Sequence, residues 1–470
     1  MMLRKFVNRL FSRSGNSAAG EPKIFKRKDH GIVRDSISPG ALKVTQSLQA
    51  GGFKAYVVGG AVRDLLLGGV PKDYDVATDA TPEEVHRLIR RSRIIGRRFR
   101  LVHCMFGRDT VEVATFRGSE MAASAADGHN AEADDGAIQK DVHGRILRDN
   151  RFGNRAEDAT RRDFTINALF YDPATESVID YHGGVADLRA KIIRIIGDPA
   201  ERYREDPVRM LRAIRFAAKL GFSIDAATRA PIRKLAELLG NVPSSRMFEE
   251  MLKLLMSGHA LEAVKQLRKE GLHHGLLPML DVILEQPLGE RFVTLALKQT
   301  DSRIREEKSV SPAFLFAALL WHEVLAAWKS LEAAGERPAI ALFTAMDQVL
   351  DAQCEKLAIA RRFTITMKEV WSLQPRFDNY SGKRPLRLLE HPRFRMAYDF
   401  LVLRAESGEA PAETAEWWEK FQFAGAAARL EMLIPETGGV KKRRKRRRKS
   451  AGTKAETAAP AVADETEGEA

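Results

Sequence analysis

Val58-Gly59-Gly60-Ala61-Val62-Arg63-Asp64, followed after a short interval by Lys72-Asp73-Tyr74-Asp75-Val76-Ala77-Thr78, is the stretch on which the fold turns. It reads as the end of a strand, a glycine turn, a short helix, a loop and a second strand carrying two carboxylates. Asp73 and Asp75 stand two apart, so on a strand they share a face. Neighbouring carboxylates repel unless a cation lies between them, and hard oxygen donors of this kind suit Mg²⁺. Gly59 and Gly60 let backbone amides approach an anion closely, and the start of the next helix adds a positive dipole end. A lone Asp-x-Asp is most often a solvated pair, and a lone Gly-Gly only a turn. Together, in this order, they describe a phosphate site beside a dicarboxylate metal site, which is the equipment of phosphoryl or nucleotidyl transfer.

Working outward, the chain has 470 residues, 44% hydrophobic and 30% charged, enough for several domains and a substantial core. Cys104 and Cys354 are its two cysteines, so a disulfide framework or a cysteine-rich zinc site is excluded and a reducing, cytoplasmic setting is expected. No apolar run approaches the roughly 18 to 20 residues that span a bilayer. A net charge of +13 and a pI of about 9.6 favour a polyanionic partner, either nucleic acid or an anionic surface.

Residues 1–35 read as an extension. Leu3, Phe6, Val7, Leu10 and Phe11 fall at helical spacing among Arg4, Lys5, Arg9 and Arg13. That pattern fits a surface-seeking amphipathic helix, a transit-like segment or a frayed terminus. Residues 36–182 read as an α/β head, with strands at Ala55–Val58, Tyr74–Ala77, Leu101–Phe106 and Val111–Phe116 and a Thr81-capped helix over Pro82–Arg91. The polar stretch from about 118 to 160 reads as a long flexible loop that could close over the site. From Arg161 to Ile434 the pattern is mostly helical, with helices at Val208–Leu220, Ser245–Met256, Ala260–Glu270 and Pro312–Leu325. A long all-helical part after the head is therefore expected. From 438 the tail reads as disordered, and its run Lys441, Lys442, Arg443, Arg444, Lys445, Arg446, Arg447, Arg448, Lys449 is expected to attract RNA without sequence preference.

Three further clusters carry chemistry. Glu112, in Val111-Glu112-Val113-Ala114-Thr115-Phe116, lies on the polar side of an alternating strand and could complete a two-metal site. Arg161-Arg162-Asp163-Phe164-Thr165-Ile166-Asn167 offers planar donors to phosphate, and Asn167 would stand one turn from Asp163 if this were a helix. In Glu205-Asp206-Pro207-Val208-Arg209-Met210-Leu211-Arg212-Ala213-Ile214-Arg215-Phe216, the arginines recur every third residue and form one basic ridge. Each cluster taken alone is as well explained by a solvated charged face. His103 is read as a packed or edge histidine, Cys104 as core, and Trp417, Trp418 and Phe421 as core.

In order, these clusters resemble the bacterial poly(A) polymerase and tRNA CCA-adding enzyme superfamily, the class II nucleotidyltransferases. The match runs from Gly59-Gly60-x-x-Arg63-Asp64 through Asp73-x-Asp75, Glu112 and Arg161-Arg162-Asp163 with Asn167 to Glu205-Asp206-x-x-Arg209-x-x-Arg212. The resemblance implies an α+β fold: a palm-like head with a mixed sheet, then an all-helical neck and body, the neck over 183–253 binding nucleotide and RNA and the body over 254–437 binding RNA. It implies that Asp73 and Asp75 hold the catalytic metal and that Glu112 and Asp163 are further active-site acids. Gly59, Gly60, Arg63 and Arg162 would hold a triphosphate, and Asn167, Asp206, Arg209, Arg212 and Arg215 would line the nucleotide pocket. Ile94–His103 is similar to the poly(A) polymerase form of its segment, although Cys104 stands where that form has a branched aliphatic residue.

The implied activity is template-independent transfer of AMP from ATP to RNA 3′ ends, with Mg²⁺, or Mn²⁺ in its place. RNA is the implied partner, alongside RNA decay or chaperone proteins, and the enzyme would act as a monomer. Two other readings remain at this point: a tRNA CCA-adding enzyme, which CTP incorporation would reveal, and a non-catalytic RNA-binding protein with an inert head.

Overall fold

The computed structural model describes residues 21–96, 100–107, 109–118, 139–140, 146–148, 152–273 and 287–435. The head is one eight-stranded sheet in the order β1-β10-β9-β2-β3-β6-β5-β4. Its strands are β1 (Lys23–Phe25), β2 (Ala55–Val58), β3 (Tyr74–Thr78), β4 (Ser92–Ile95), β5 (Leu101–Phe106), β6 (Asp109–Thr115), β9 (Leu169–Asp172) and β10 (Ser177–Asp180). Gln139–Lys140 (β7) and Ile146–Arg148 (β8) form a separate antiparallel pair, as β11 (Ile192–Ile193) and β12 (Ser223–Ile224) form a parallel one. β3 and β6 run parallel; the other neighbours in the large sheet are antiparallel, so the sheet is mixed.

Alternation along the strands gives the sheet two unlike faces. Val57, Tyr74, Val76, Val102, Val111 and Val113 point to one side and join the large core. That side is covered by α1 (Pro39–Ala50), α2 (Gly60–Leu66) and α3 (Pro82–Leu88), whose Val44, Leu48, Val62, Leu65 and Val85 share the same core. Ser38 starts α1 by accepting from the Ala41 N–H at 3.1 Å, with Pro39 in the first turn. On the other face Tyr56, Val58, Ala77, Phe116, Phe170 and Ile179 pack with Ala159 of α4 (Arg155–Arg161), and beyond that cluster the face turns polar. Paired residues share a face, so the register draws a row across five strands: Val58, Asp75, Glu112, His103 and Arg93.

Behind the head lie α5 (Gly184–Ala190), α6 (Pro199–Glu205), α7 (Val208–Leu220), α8 (Ser244–Leu255) and α9 (Ala260–Glu270). The body continues with α10 (Pro287–Arg305), α11 (Pro312–Ala333), α12 (Pro338–Lys356), α13 (Arg361–Leu373), α14 (Phe394–Ser407) and α15 (Ala412–Phe423). One core runs from Ile32 to Leu403 without a break between these parts. A smaller core at the C-terminal end holds Phe377, Phe394, Trp418 and Phe421, as expected for the last two.

Several expectations need correction. The 1–35 extension does not stand apart, because Lys23–Phe25 pairs with β10 at the sheet edge. The segment expected as a loop over 118–160 contains β7, β8 and the start of α4. Asn154 caps α4, accepting from the Ala156 and Glu157 N–H groups, and Glu157 reaches back to the Asn154 N–H. The helix expected over Pro82–Arg91 stops at Leu88, where Ile89 turns extended and Ser92 Oγ donates to the Ile89 carbonyl as β4 begins. Two strands of the large sheet, β9 and β10, follow Arg161 where a mostly helical pattern was expected; both are almost wholly buried on both faces, and at four residues each they are too short to show a period. α11 is eight residues longer than expected and is the one described helix long and apolar enough to cross a membrane. Leu315 to Trp321 and Val324 of that helix are buried in the body core. The amphipathic segment before Gly20, residues 119–138 and the basic run lie outside the described residues.

Candidate active site

A cavity of about 1210 Å³ opens where the polar face of the sheet meets α7 and α8. The β2–α2 turn contributes Gly59, Gly60 and Arg63, β3 and its approach contribute Asp73 and Asp75, and β6 contributes Glu112. The chain after α4 brings Arg162, Asp163 and Asn167, while Asp206, Arg209, Arg212 and Arg215 come from α7 and the residues before it. Every head and neck residue to which the sequence assigned a catalytic or nucleotide-binding role therefore lines one space. Lys441–Lys449, the remaining expected element, falls outside the described residues.

The floor is acidic. Asp75 and Glu112 are direct partners across β3 and β6, and both stay open to solvent through the cavity. The surrounding walls, the charge on Glu112 and the charge on Asp73 push the Asp75 carboxyl up to about 6, against the pull of Arg162. Glu112 Oε1 lies 3.0 Å from His103 Nε2 on the next strand.

The turn above this floor requires glycine. Gly59 has φ 71 and ψ −129, a conformation closed to L side chains, and a Cβ there would sit 3.3 Å from Arg162 Nη1. α2 has seven residues, so its dipole adds little and the nearby guanidinium groups supply most of the positive charge.

Those guanidinium groups are tethered, mostly by carboxylates. Arg162 donates to Asp158 at 2.9 Å and to the Asn167 carbonyl at 3.3 Å. Arg63 is 4% exposed and bridges Asp64 and Asn167 Oδ1, both at 2.8 Å. Arg209 is held by Glu205 and the Arg202 carbonyl, each at 2.8 Å. Arg212 makes two bonds to Asp163 Oδ2, at 2.8 and 2.6 Å. Arg215 differs: its Nε is buried without a partner, and its guanidinium lies 4.4 Å from the Phe216 ring centre. Arg63 and Arg212 flank the same ring at 5.3 and 5.5 Å, so one aromatic side chain separates three like charges. Burial and the neighbouring Arg212 lower Arg215 to about 10.

Asp163 is not an open acid. The Phe164 N–H and Asn167 Nδ2 occupy Oδ1, and Arg212 occupies Oδ2. Burial alone would push this carboxyl up, but Arg212, Asn167 and the backbone donor override it and hold the group at about 2. Asp163 thus positions Arg212. The contact with Asn167 was expected on a helix, yet α4 ends at Arg161 and Asn167 sits in a separate short 3₁₀ turn.

The cavity also contains Lys72, His103, Phe216, Lys219, Arg246, Glu250 and Lys253; of these the sequence reading gave only Phe216 a part, as an apolar contact. Lys219 was within reach of pattern reasoning, since it follows Arg215 by one turn on the same ridge. Arg246 was not: it meets Asp206 Oδ2 at 2.5 Å across 40 residues of chain. Asp206 Oδ1 and Glu250 Oε2 remain buried without partners.

No three His, Cys, Asp or Glu side chains among the described residues stand close enough to enclose an ion. An open set of hard oxygens crowded around Asp75 fits a divalent cation that keeps part of its water shell and takes further oxygens from a substrate.

A mixed sheet that sets paired carboxylates before an arginine wall, backed by a helical body, defines a nucleotidyltransferase. Residues 55–194 match the family model for the poly A polymerase head domain. Residues 221–284 match "Probable RNA and SrmB- binding site of polymerase A" and residues 334–451 the "Polymerase A arginine-rich C-terminus". The chain is 46% identical over 439 residues to poly(A) polymerase I of Salmonella typhi, covering 92% of each. Similarity to the CCA-adding enzyme of Lactobacillus helveticus, at 37% identity, covers 47% of this chain and 51% of that one. The crystal structure of the Bacillus stearothermophilus CCA-adding enzyme in complex with CTP superposes with a TM-score of 0.54 at 26% identity, covering 82% of both chains. The chain belongs to the poly(A) polymerase family.

Proposed function

We propose that this enzyme transfers AMP from ATP to RNA 3′ hydroxyls without a template. The observation that carries this reading is the single cavity that joins Asp73, Asp75 and Glu112 to the arginine wall, in a chain that aligns with poly(A) polymerase I over nearly its whole length. Arg63, Arg162 and Arg215 face the triphosphate. The unpartnered Oδ1 of Asp206 can accept from the adenine amino group, while Arg209, fixed by Glu205, presents its remaining donors to the base edge. The RNA 3′ oxygen forms its bond to the α-phosphorus as the bond to the departing pyrophosphate breaks, and the new charge falls against the arginines. Asp73 and Asp75 would hold Mg²⁺, or Mn²⁺ in its place, and the chemistry it would supply is activation of the hydroxyl and neutralisation of charge.

The match over residues 221–284 supports RNA contact by the neck and body, and a protein partner in RNA metabolism. The run Lys441–Lys449 supports retention of RNA between additions. Cys104 and Cys354 are free thiols, which fits a reducing cytoplasm, and a monomer suffices for this site.

Incubating the protein with Mg²⁺ and each nucleotide separately, on an unstructured RNA and on tRNA lacking its CCA end, tests the reading. Long ladders with ATP on both RNAs are expected. Addition of C, C and A that stops on the tRNA alone would replace the reading with a CCA-adding enzyme.

Phe216 gives a finer test of the arginine wall. Phe216→Leu should raise KM for ATP by roughly three- to ten-fold, because the aromatic separator of the three guanidinium groups is lost. Phe216→Tyr, which keeps the ring, should stay near wild type. Equal effects of both variants on KM would sink the idea.

A further inference from the structure

The residues that face the nucleotide stand on one side of the acidic floor, on α2, at Arg162 after α4, and on α7 and the residues just before it. In-line transfer needs the RNA 3′ hydroxyl opposite the departing pyrophosphate, and therefore from the side those elements leave open. There the sheet continues through β6, β5 and β4. The paired row Asp75, Glu112, His103, Arg93 points to one face, as the 3.0 Å contact between His103 and Glu112 attests. At the usual strand spacing, Arg93 lies about 14 Å from Asp75 along that row.

This part of the face does not serve the core. Ser92, Val102 and Cys104, which alternate with the row, are buried, whereas Arg93 is exposed, Ile95, Leu101 and His103 are half-buried and Met105 is 46% exposed. Ile95 is paired with Leu101, so apolar side chains flank the Arg93–His103 pair on both sides. Arg93 makes no hydrogen bond or ion pair among the described residues. An unpaired guanidinium at the sheet edge, an imidazole beside the catalytic acid and apolar surface around them match what a single-stranded RNA offers: phosphates outside and stackable bases beneath.

We infer that the exposed face of β4 and β5, formed by Arg93, His103 and Met105 with Ile95 and Leu101, is the platform that receives the last nucleotides of the RNA primer. Arg93 meets a backbone phosphate, and the side chains around it support the bases that lead to the reacting 3′ hydroxyl. The assignment rests on the adenylyltransferase reading and adds the side from which its RNA enters.

The test compares wild type with Arg93→Ala and Arg93→Glu in extension of a short oligoadenylate. It also measures binding of the labelled oligonucleotide across a salt series. Arg93→Glu should raise KM for the RNA roughly ten-fold and leave KM for ATP unchanged. Arg93→Ala should flatten the slope of log affinity against log salt by about 0.7, the loss of one contact to a single-stranded phosphate. A photoreactive base at the penultimate RNA position should crosslink to β4 or β5 in the wild type. Unchanged RNA KM and salt slope in the variants, or crosslinks confined to α8 and α9, would overturn the platform while wild-type extension keeps the function standing. A wild type that extends no RNA would overturn the function and the platform with it.

Discussion

Replacing Asp73 and Asp75 together with asparagine is expected to abolish AMP transfer, by on the order of a thousand-fold or more, while the protein stays folded. Neither carboxylate supports the core. Both are exposed, Asp75 on the open face of the sheet and Asp73 just before β3, and Asp75 is opposed by Glu112 rather than by a cation of the protein. Burial in the cleft, then Glu112 and Asp73, raise the Asp75 carboxyl from 3.8 to about 6. A carboxyl whose value is higher in the folded chain than in the unfolded one weakens the fold once it ionises. That cost is absent below about pH 4, grows between pH 4 and 6 and is constant above. Asp75→Asn removes it, so the variant should match wild type in acid and exceed it above pH 6 by about 1 kcal/mol, a figure reduced for the solvent that reaches this side chain. Activity assays and thermal melting across pH 4 to 8 measure both halves. A variant that melts well below wild type at pH 7.5 would assign the aspartates to the fold instead of the chemistry.

How much of this was legible in the sequence follows the range over which each feature is encoded. β2, β5, α7 and α9 begin and end where pattern and caps place them, because alternation, helical spacing and the glycines at Gly221 and Gly271 are local. The Asp73 and Asp75 pair at the acidic floor was legible for the same reason: two aspartates two residues apart, where one short strand begins, beside a glycine turn. β9 and β10 were lost, since four-residue strands buried on both faces are too short to show a period. The three side chains from α8 were lost because their meaning lies in what they meet, and Arg246 finds Asp206 only through the packing of α8 against α7. Asp163 shows a third limit. Its presence at the site was readable, but whether it binds a metal or tethers an arginine depends on where Arg212 points, and that is decided 49 residues later.

Asp163→Ala is accordingly expected to cost both fold and activity. The carboxylate is 10% exposed and pairs with Arg212, itself 28% exposed, at 2.6 Å. Removing one partner of such a pair leaves a poorly solvated charge and costs about 3 to 5 kcal/mol. Glu250, 3.7 Å from Arg212, recovers only part of that, because it is already paired with Lys253 at 3.0 Å. The pH dependence has the opposite sign to that of Asp75. The Asp163 carboxyl falls from 3.8 to about 2 in the folded chain, so its contribution is fully present above about pH 4 and is lost as the pH falls through 2. The difference between variant and wild type should therefore be flat from pH 5 to 8 and shrink only in strong acid. Denaturant unfolding at several pH values checks this, and a penalty that vanishes near pH 6 would contradict it. Adding Arg212→Met to Asp163→Leu should restore much of the lost stability, since neither charge is then left without its partner. It should restore none of the activity, because the nucleotide would still face a wall with one guanidinium missing.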